Sequence, residues 1–237
     1  MEQQTAREAG GSDAVPEPSW WTSDRRRSAR SALSREAIVD AALTVLDRHG
    51  LDGLSMRRVA DELGTGPASL YWHVADKDQL LNVMLDRVIG EVPLPAPDPD
   101  HWQEQLREFA RAGRAVFQRH RDIARASLGR VPMGPSLLRV VEWELELLQG
   151  AGIPAGPAAW FADLLALYVA AHAFEDTIVT GSEQEEAAAM GEYLASIPGD
   201  RFPHLMAAAG ELMAGDADER FEFGLDLLLR GLASHAG

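Results

Sequence analysis

The chain contains no cysteine, which excludes disulfides and thiolate metal sites. No stretch approaches roughly 18 consecutive apolar residues, and the opening residues are polar rather than signal-like. A soluble, cytoplasmic protein with no membrane partner is the expectation. Lysine is nearly missing as well: Lys77 stands alone against 21 arginines, a matter of codon usage and not of mechanism. Internal repeats, alternating strand patterns, a serine elbow, a phosphate-cradling glycine loop and a His-Glu-x-x-His run are all lacking. Those absences weigh against a solenoid, a β fold and the common hydrolase and nucleotide sites. The expectation is no enzyme, no cofactor and no metal site.

A length of 237 residues suits one or two domains with a substantial core. The net charge of −15 has the wrong sign for a partner rich in phosphate, so its distribution decides. Residues 1–24 hold one basic and five acidic residues, residues 25–91 hold ten of each, and residues 92–237 hold eleven basic against twenty-two acidic. The acid is concentrated in the last segment. Phosphate neutralisation needs local Arg and Lys rather than a basic protein overall, so the balance permits nucleic-acid binding by the middle segment.

That middle segment contains two short helices joined by a tight turn, Ser55 to Lys77. Ser55 is an N-cap, and Met56, Val59, Ala60 and Leu63 recur at helical spacing. Gly64 can take the left-handed conformation that ends a helix, and Pro67 suits the first turn of the next. The second helix, Pro67 to Val74, is too short to stand alone and must pack through Leu70 and Val74. This is the grammar of a helix-turn-helix. Upstream, a helix from Arg35 to His49 is capped by Ser34 and stopped by Gly50, with Ile38, Ala41, Ala42, Val45 and Leu46 as its buried stripe. Downstream, a fourth helix starts after Asp76, with Gln79 placed as in a capping box, and ends at the proline-rich run Val92–Asp100. Beyond it the spacing predicts helices at 101–119, 122–128, 135–149, 157–180, 185–196, 203–213 and 217–233. The fold class is all-α, a helical bundle behind a three-helix head. The domain limits read as a disordered arm over 1–30, a helix-turn-helix domain over 31–78 and a regulatory domain over 79–237. Arg25, Arg26, Arg27 and Arg30 in the arm fit either a solvated tail or a strand reaching into a minor groove. Trp20 and Trp21 are odd in such a tail.

The run LSREAIVDAALTVLDRHGLDGLSMRRVADELGTGPASLYWHVADKDQLL, Leu33 to Leu81, closely resembles the DNA-binding domain of the tetracycline-repressor family. The tail ERFEFGLDLLLRGL, Glu219 to Leu232, is similar to the closing helix of its regulatory domains. The resemblance implies a ligand-responsive transcriptional regulator, a repressor of operator DNA. It places Arg57 at a base-contacting position, where a planar fork can bind a guanine edge, with Arg58 beside it as the alternative or as a phosphate contact. Pro67, Ala68 and Ser69 open the recognition helix with short side chains. Tyr71, Trp72, His73 and Lys77 match positions that clamp phosphate, and all four side chains carry donors. For Tyr71 and Trp72 plain core packing is the competing reading. Met56, Pro67 and Ala68 depart from the family's namesake, so a different operator is implied.

The segment from 101 to 180 is rich in bulky apolar residues, the lining expected around a small apolar molecule. Alignment with the family through the His120–Asp122 run brings Ile89, Phe109, Ser127, Arg130, Val140 and Trp143 to the effector site, and Phe117, Tyr168 and His172 join them as candidates. Ile89, Ser127 and Thr180 stand where the namesake holds magnesium-bound drug. A metal-free, largely hydrophobic effector is therefore expected. Two-fold DNA readers need two heads, and Leu164, Tyr168, Phe221, Phe223, Leu225 and Leu228 on the helices 157–180 and 217–233 are the expected homodimer interface. Two alternatives stay open: a DNA-binding regulator with no small-molecule ligand, and a helical enzyme using His172, Glu175 and Asp176 as a chelate or proton relay.

Overall fold

The computed structural model describes residues 33–130, 132–178, 183–198 and 201–236. The arm over 1–30, with its arginines and tryptophans, and Thr180 lie outside the described residues. Among the described residues the regular structure is helical throughout. The head comprises α1 (Arg35–Gly53), α2 (Met56–Glu62) and α3 (Pro67–Leu70). α4 (Lys77–Ile89) links it to the body, which starts with a short 3-10 turn (Pro99–His101). The body then holds α5 (Trp102–Gln118), α6 (Ile123–Ser127), α7 (Pro135–Gly150) and α8 (Ala155–Ile178). α9 (Glu183–Ser196), α10 (Pro203–Met213) and α11 (Ala217–Ala233) complete it.

Capping chemistry sets most of these limits. Ser34, Ser55 and Asp76 each accept a backbone N–H from the first turn of the helix they precede. At α11, Asp216 and Glu219 form a reciprocal capping box, satisfying two donors that the helix itself cannot. α1 kinks at Gly50, whose φ of 68° only glycine adopts cheaply. α2 ends in a Schellman arrangement: Gly64, at φ 63°, donates to Asp61 and Thr65 donates to Ala60. α3 is shorter than its sequence pattern implies. The amides of His73 and Val74 both converge on the Leu70 carbonyl, at 2.8 and 3.0 Å. Two donors on one acceptor tighten the chain into a turn, so the helix stops at Leu70 rather than Val74.

The core has two apolar clusters. The first joins the head to the body, with Ile38, Leu46, Val59, Leu70, Val74 and Leu80 packed with Phe117, Ile123, Ala124, Ala170 and Ala173. Packing is thus continuous across the expected boundary at residue 78. The second lies wholly in the body, where Leu106, Trp143, Leu147, Phe161, Leu165, Phe221, Leu225 and Leu229 close α5, α7, α8 and α11 on one another. Phe109 touches both. Burying each of the Val, Leu, Ile and Phe side chains among them stabilises the fold by about 1.5–3 kcal/mol. Ala155–Thr177 is long and apolar enough to cross a membrane by length and composition alone, a property missed by a search for unbroken apolar runs. In this fold it is the central helix of the body, packed against α5, α7 and α11.

Candidate DNA-binding and effector sites

The head presents an outward face built on a fully buried floor. Leu70 and Val74 are sealed in the first cluster, while Pro67 and Ala68 are exposed. Tyr71 and Trp72 are 54% and 61% exposed, so neither is core and the packing reading for them is set aside. Ser69 is half-buried and its hydroxyl accepts from Thr65 at 3.1 Å. Arg57 and Arg58, adjacent on α2, differ. The Arg58 guanidinium folds back and donates to the Gly53 carbonyl at 2.6 Å. Arg57 is exposed and has no partner among the described residues. Lys77 is partly spent, donating to the Leu51 carbonyl at 3.2 Å, and His73 is half-buried. The head therefore exposes a phenol, an indole N–H and a guanidinium without a partner among the described residues, donors of the kind suited to phosphates and base edges.

A joint of short polar contacts fixes this head to the body. Asp122 sits at the turn before α6 in the left-handed region, φ 56°, which Asp tolerates better than most residues. Its carboxylate accepts the Leu51 N–H at 2.8 Å, and a Cβ added at Gly50 would meet it at 2.7 Å. The Arg121 N–H donates to Asp47 at 3.0 Å, and Arg125 pairs with Asp52 at 3.2 Å. His120 lies between Asp47 and Glu91, with a buried Nδ1 that has no hydrogen-bond partner. α4 is fastened separately. Arg130 pairs with Asp78 in its first turn at 2.7 Å. The buried Asp86 carboxylate accepts the Ser136 and Leu137 N–H groups at 3.0 and 3.2 Å. It thereby satisfies the start of α7, a helix that has no side-chain cap of its own. Burial pushes the Asp86 carboxyl upward, against the pull of those same N–H donors.

The residues expected around an effector fall in three places rather than one. Ile89, Phe109, Phe117, Val140 and Trp143 belong to the interior of α4, α5 and α7. The Phe109 and Trp143 rings are 5.1 Å apart, and the indole donates to the Pro95 carbonyl at 2.7 Å. Ser127 is satisfied locally by the Ala124 carbonyl, and Arg130 turns to α4. Tyr168 and His172 lie where α8 meets α11: the Tyr168 hydroxyl donates to the Phe221 carbonyl at 2.7 Å, and the His172 ring is 4.5 Å from the Tyr168 ring. Burial lowers the His172 imidazole despite the Glu175 carboxylate at 3.7 Å. Asp176 does not complete a trio with them. It is bonded by Arg114 at 2.7 and 2.8 Å and by Gln118. Burial raises that carboxyl, yet the two donors outweigh it and leave it below the ordinary range. Among the described residues no group of three His, Asp or Glu side chains is placed to hold a metal.

Sequence reasoning passed over three charged residues that the fold buries, Asp86, Arg114 and Glu144. Glu144 on α7 is 3% exposed, and burial alone pushes its carboxyl up to about 8. Its position four residues after Val140 and four before Leu148, on an otherwise apolar stripe, was the available signal.

The expected subunit interface also divides. Phe221 and Leu225 are consumed inside the protomer, at 1% and 0% exposure, so they brace the bundle and cannot reach a partner. Tyr168 and Leu228 are half-buried, while Leu164 and Phe223 are exposed. Trp160, Leu167 and Leu227 are exposed beside them on the same two helices.

Comparison with known proteins agrees with this layout. Residues 38–84 match the model of bacterial regulatory proteins of the tetR family, and residues 94–236 match the tetracyclin repressor-like C-terminal domain. Over 231 residues the chain is 32% identical to an HTH-type transcriptional regulator of Saccharopolyspora erythraea, covering 95% of each. It is 33% identical to the HTH-type transcriptional repressor DrrR1 of Streptomyces coeruleorubidus, over 90% of this chain and 82% of that one. Among solved structures, ActR of Streptomyces coelicolor in complex with actinorhodin superposes with a TM-score of 0.81 at 43% identity, covering 87% of this chain and 98% of that one.

Proposed function

The chain belongs to the tetracycline-repressor family and is a ligand-responsive, DNA-binding transcriptional regulator; we propose that it acts as a cytoplasmic homodimeric repressor and not as an enzyme. The observation that carries the proposal is the head itself. α3 and the turn after it rest on sealed Leu70 and Val74, that turn exposes Tyr71 and Trp72, and Arg57 of α2 is exposed with no partner among the described residues. In this reading Arg57 reads a base edge, Pro67, Ala68 and Ser69 let α3 approach the groove, and Tyr71, Trp72, His73, Lys77 and Arg58 hold phosphates. The domains divide as a head over 31–78 and a regulatory body over 79–237, with packing continuous between them.

One head buries too little surface to select an operator. Leu164, Leu167 and Trp160 of α8 with Phe223 and Leu227 of α11 supply the apolar face through which two copies pair. The effector is a small, mostly hydrophobic molecule held in the body without a metal. Solved relatives include a complex of ActR with actinorhodin, which supports a body built to hold a small organic molecule. Effector entry moves α7, and Asp86, which caps α7 from α4, transmits the motion to the head. By linkage, the effector releases DNA only to the extent that it prefers one of the two states.

The test has two parts. Sedimentation at micromolar protein is expected to give a dimer, which Phe223→Arg converts to monomer. A thermal-shift screen of hydrophobic compounds is expected to yield stabilising ligands that also lower operator affinity. A wild-type monomer, or ligands that leave DNA binding untouched, would contradict the reading.

A further inference from the structure

The turn between α2 and α3 holds a pair of hydroxyls, Thr65 and Ser69, both half-buried. Thr65 is fixed through its backbone, where its N–H donates to the Ala60 carbonyl at 2.9 Å and helps to close α2. Its Oγ1 donates to Ser69 Oγ, one turn further on, at 3.1 Å. Ser69 donates its own N–H to the Gly66 carbonyl at 3.0 Å. A serine in a helical turn often bends its hydroxyl back to the carbonyl four residues earlier. Ser69 makes no such bond among the described residues, and meets the side chain of that residue instead. The surroundings are bare. A Cβ added at Gly64 or Gly66, on either side of Thr65, would meet nothing within 4 Å. Gly66 has φ −85° and ψ 150°, a conformation open to any residue, and Pro67 and Ala68 after it are exposed. From Gly64 to Ser69 the chain carries only small side chains, and none of them is long enough to hold a duplex away.

A hydroxyl has one proton to give and two sites at which to accept. In Ser69 one accepting site takes the Thr65 proton, and its own proton is left for an acceptor outside the protein. Duplex DNA is rich in such acceptors, in its phosphate oxygens and along the purine and thymine edges of the major groove. Alone, the Ser69 hydroxyl would rotate freely between giving and accepting. A bond donated into its oxygen also makes it a stronger donor, because chained hydrogen bonds polarise one another. Threonine suits the task, since branching at Cβ restricts its χ1 and its backbone is already pinned to α2. We propose that Thr65 is a positioning residue for DNA recognition, holding the Ser69 hydroxyl as a donor to a phosphate oxygen or a base edge. The inference rests on reading the head as a DNA-binding face, and it adds to that face a residue from the turn between the two helices.

A bond that only tied α2 to α3 would behave differently. Removing either hydroxyl breaks a tie to the same extent, so the two single substitutions would cost the same. In a relay they are unequal. Ser69→Ala removes the contact with DNA itself, whereas Thr65→Val, similar in shape, removes only what orients and polarises that contact. Once Ser69 is gone, Thr65 has nothing left to position.

The experiment takes the full chain and two duplexes: the one that wild-type protein enriches from fragments of its own genome, and a scrambled duplex of equal length and composition. Fluorescence anisotropy at one fixed salt concentration gives affinities for wild type, Thr65→Val, Thr65→Ser, Ser69→Ala and the double variant Thr65→Val/Ser69→Ala. Thermal denaturation checks that each is folded. Ser69→Ala should weaken binding about tenfold or more, and Thr65→Val by a smaller factor, about two- to fivefold. The double variant should bind no worse than Ser69→Ala alone, the mark of two residues acting as one unit. Thr65→Ser keeps the hydroxyl and should restore wild-type affinity. A loss shared by both duplexes places the acceptor on phosphate, and a loss confined to the enriched duplex places it on a base edge. Equal losses from Thr65→Val and Ser69→Ala mark a tie within the turn and overturn the inference. Losses that add in the double variant, or wild-type affinity in Thr65→Val, overturn it as well. All three results leave the DNA-binding head intact. Enrichment of no duplex by wild type withdraws both. If Thr65→Val fails to fold, Thr65→Ala takes its place in the same comparison.

Discussion

In the head, Leu70 and Val74 are sealed while Tyr71 and Trp72, between them in sequence, lie more than half exposed. In the body the polarity is reversed at two places: Glu144 is sealed, and Trp160 and Phe223 stand 79% and 69% exposed. The head follows the ordinary rule of apolar inside and donors outside, and its task is done on its surface by residues close in sequence. The body breaks the rule where it must meet something else. A buried acid without a partner and an exposed aromatic without a neighbour both cost free energy in the isolated protomer. The exposed aromatic face of the body is the one on which the proposed pairing of two copies rests, while the head offers its donors over a sealed apolar floor.

Substitutions sharpen that contrast in decreasing order of effect. Leu70→Ala removes the floor of α3 and is expected to cost about 2–5 kcal/mol; chemical denaturation should show the loss, with operator binding lost in parallel. Glu144→Gln is expected to do the opposite. The folded carboxyl titrates near 8 against 4.5 when unfolded, so the folded state holds the extra proton between those values. Wild-type stability contributed by this group is intact below about 4.5 and falls as pH rises towards about 8, by up to about 1.4 kcal/mol per unit. The difference between variant and wild type in urea titrations should grow over that window and level above it. A flat difference would mean that Glu144 is solvated. Asp86→Ala leaves the Ser136 and Leu137 amides without their acceptor and should cost about 1–3 kcal/mol, while weakening the effect of bound ligand on DNA affinity. Arg130→Ala breaks a pair with an exposed partner, Asp78, and should cost no more than about 1 kcal/mol. A larger loss there would show that α4 is held by its first turn rather than by Asp86.

Much of the architecture was legible because local chemistry fixes it. Ser34, Ser55 and Asp76 start their helices from the side chain outward, and Gly64 ends α2 through positive φ, whereas Gly50, expected to stop α1, only kinks it and the helix resumes to Gly53. The end of α3 was not legible, since Tyr71, Trp72 and His73 carry no breaker and the stop comes from two amides sharing the Leu70 carbonyl. Arg57 and Arg58 look alike in sequence, and only the nearby Gly53 carbonyl separates them. Phe221 and Phe223 pose the same difficulty. α11 is apolar on two sides, so periodicity alone does not say which faces its own protomer. Asp86 and Glu144 were hidden for a converse reason: an acid on a helix is ordinarily a solvated residue, and neither the amides at the start of α7 nor the apolar surroundings of Glu144 are local features. Asp86 and Phe221 thus depend on distant parts of the chain, while the end of α3 and the fold-back of Arg58 depend on nearby carbonyls that the residue types do not reveal.

The central claim, that a short exposed helix backed by Leu70 and flanked by Arg57 reads duplex DNA in two copies, has a direct measurement. Fragments of the organism's own genome retained by the purified protein are sequenced for wild type and Arg57→Ala side by side. Wild type should enrich one two-fold symmetric sequence, and the variant should lose base preference at the matching position in each half, a discrimination worth about 1–3 kcal/mol. Retention of fragments with no common sequence, or an Arg57→Ala pattern identical to wild type, would contradict the account.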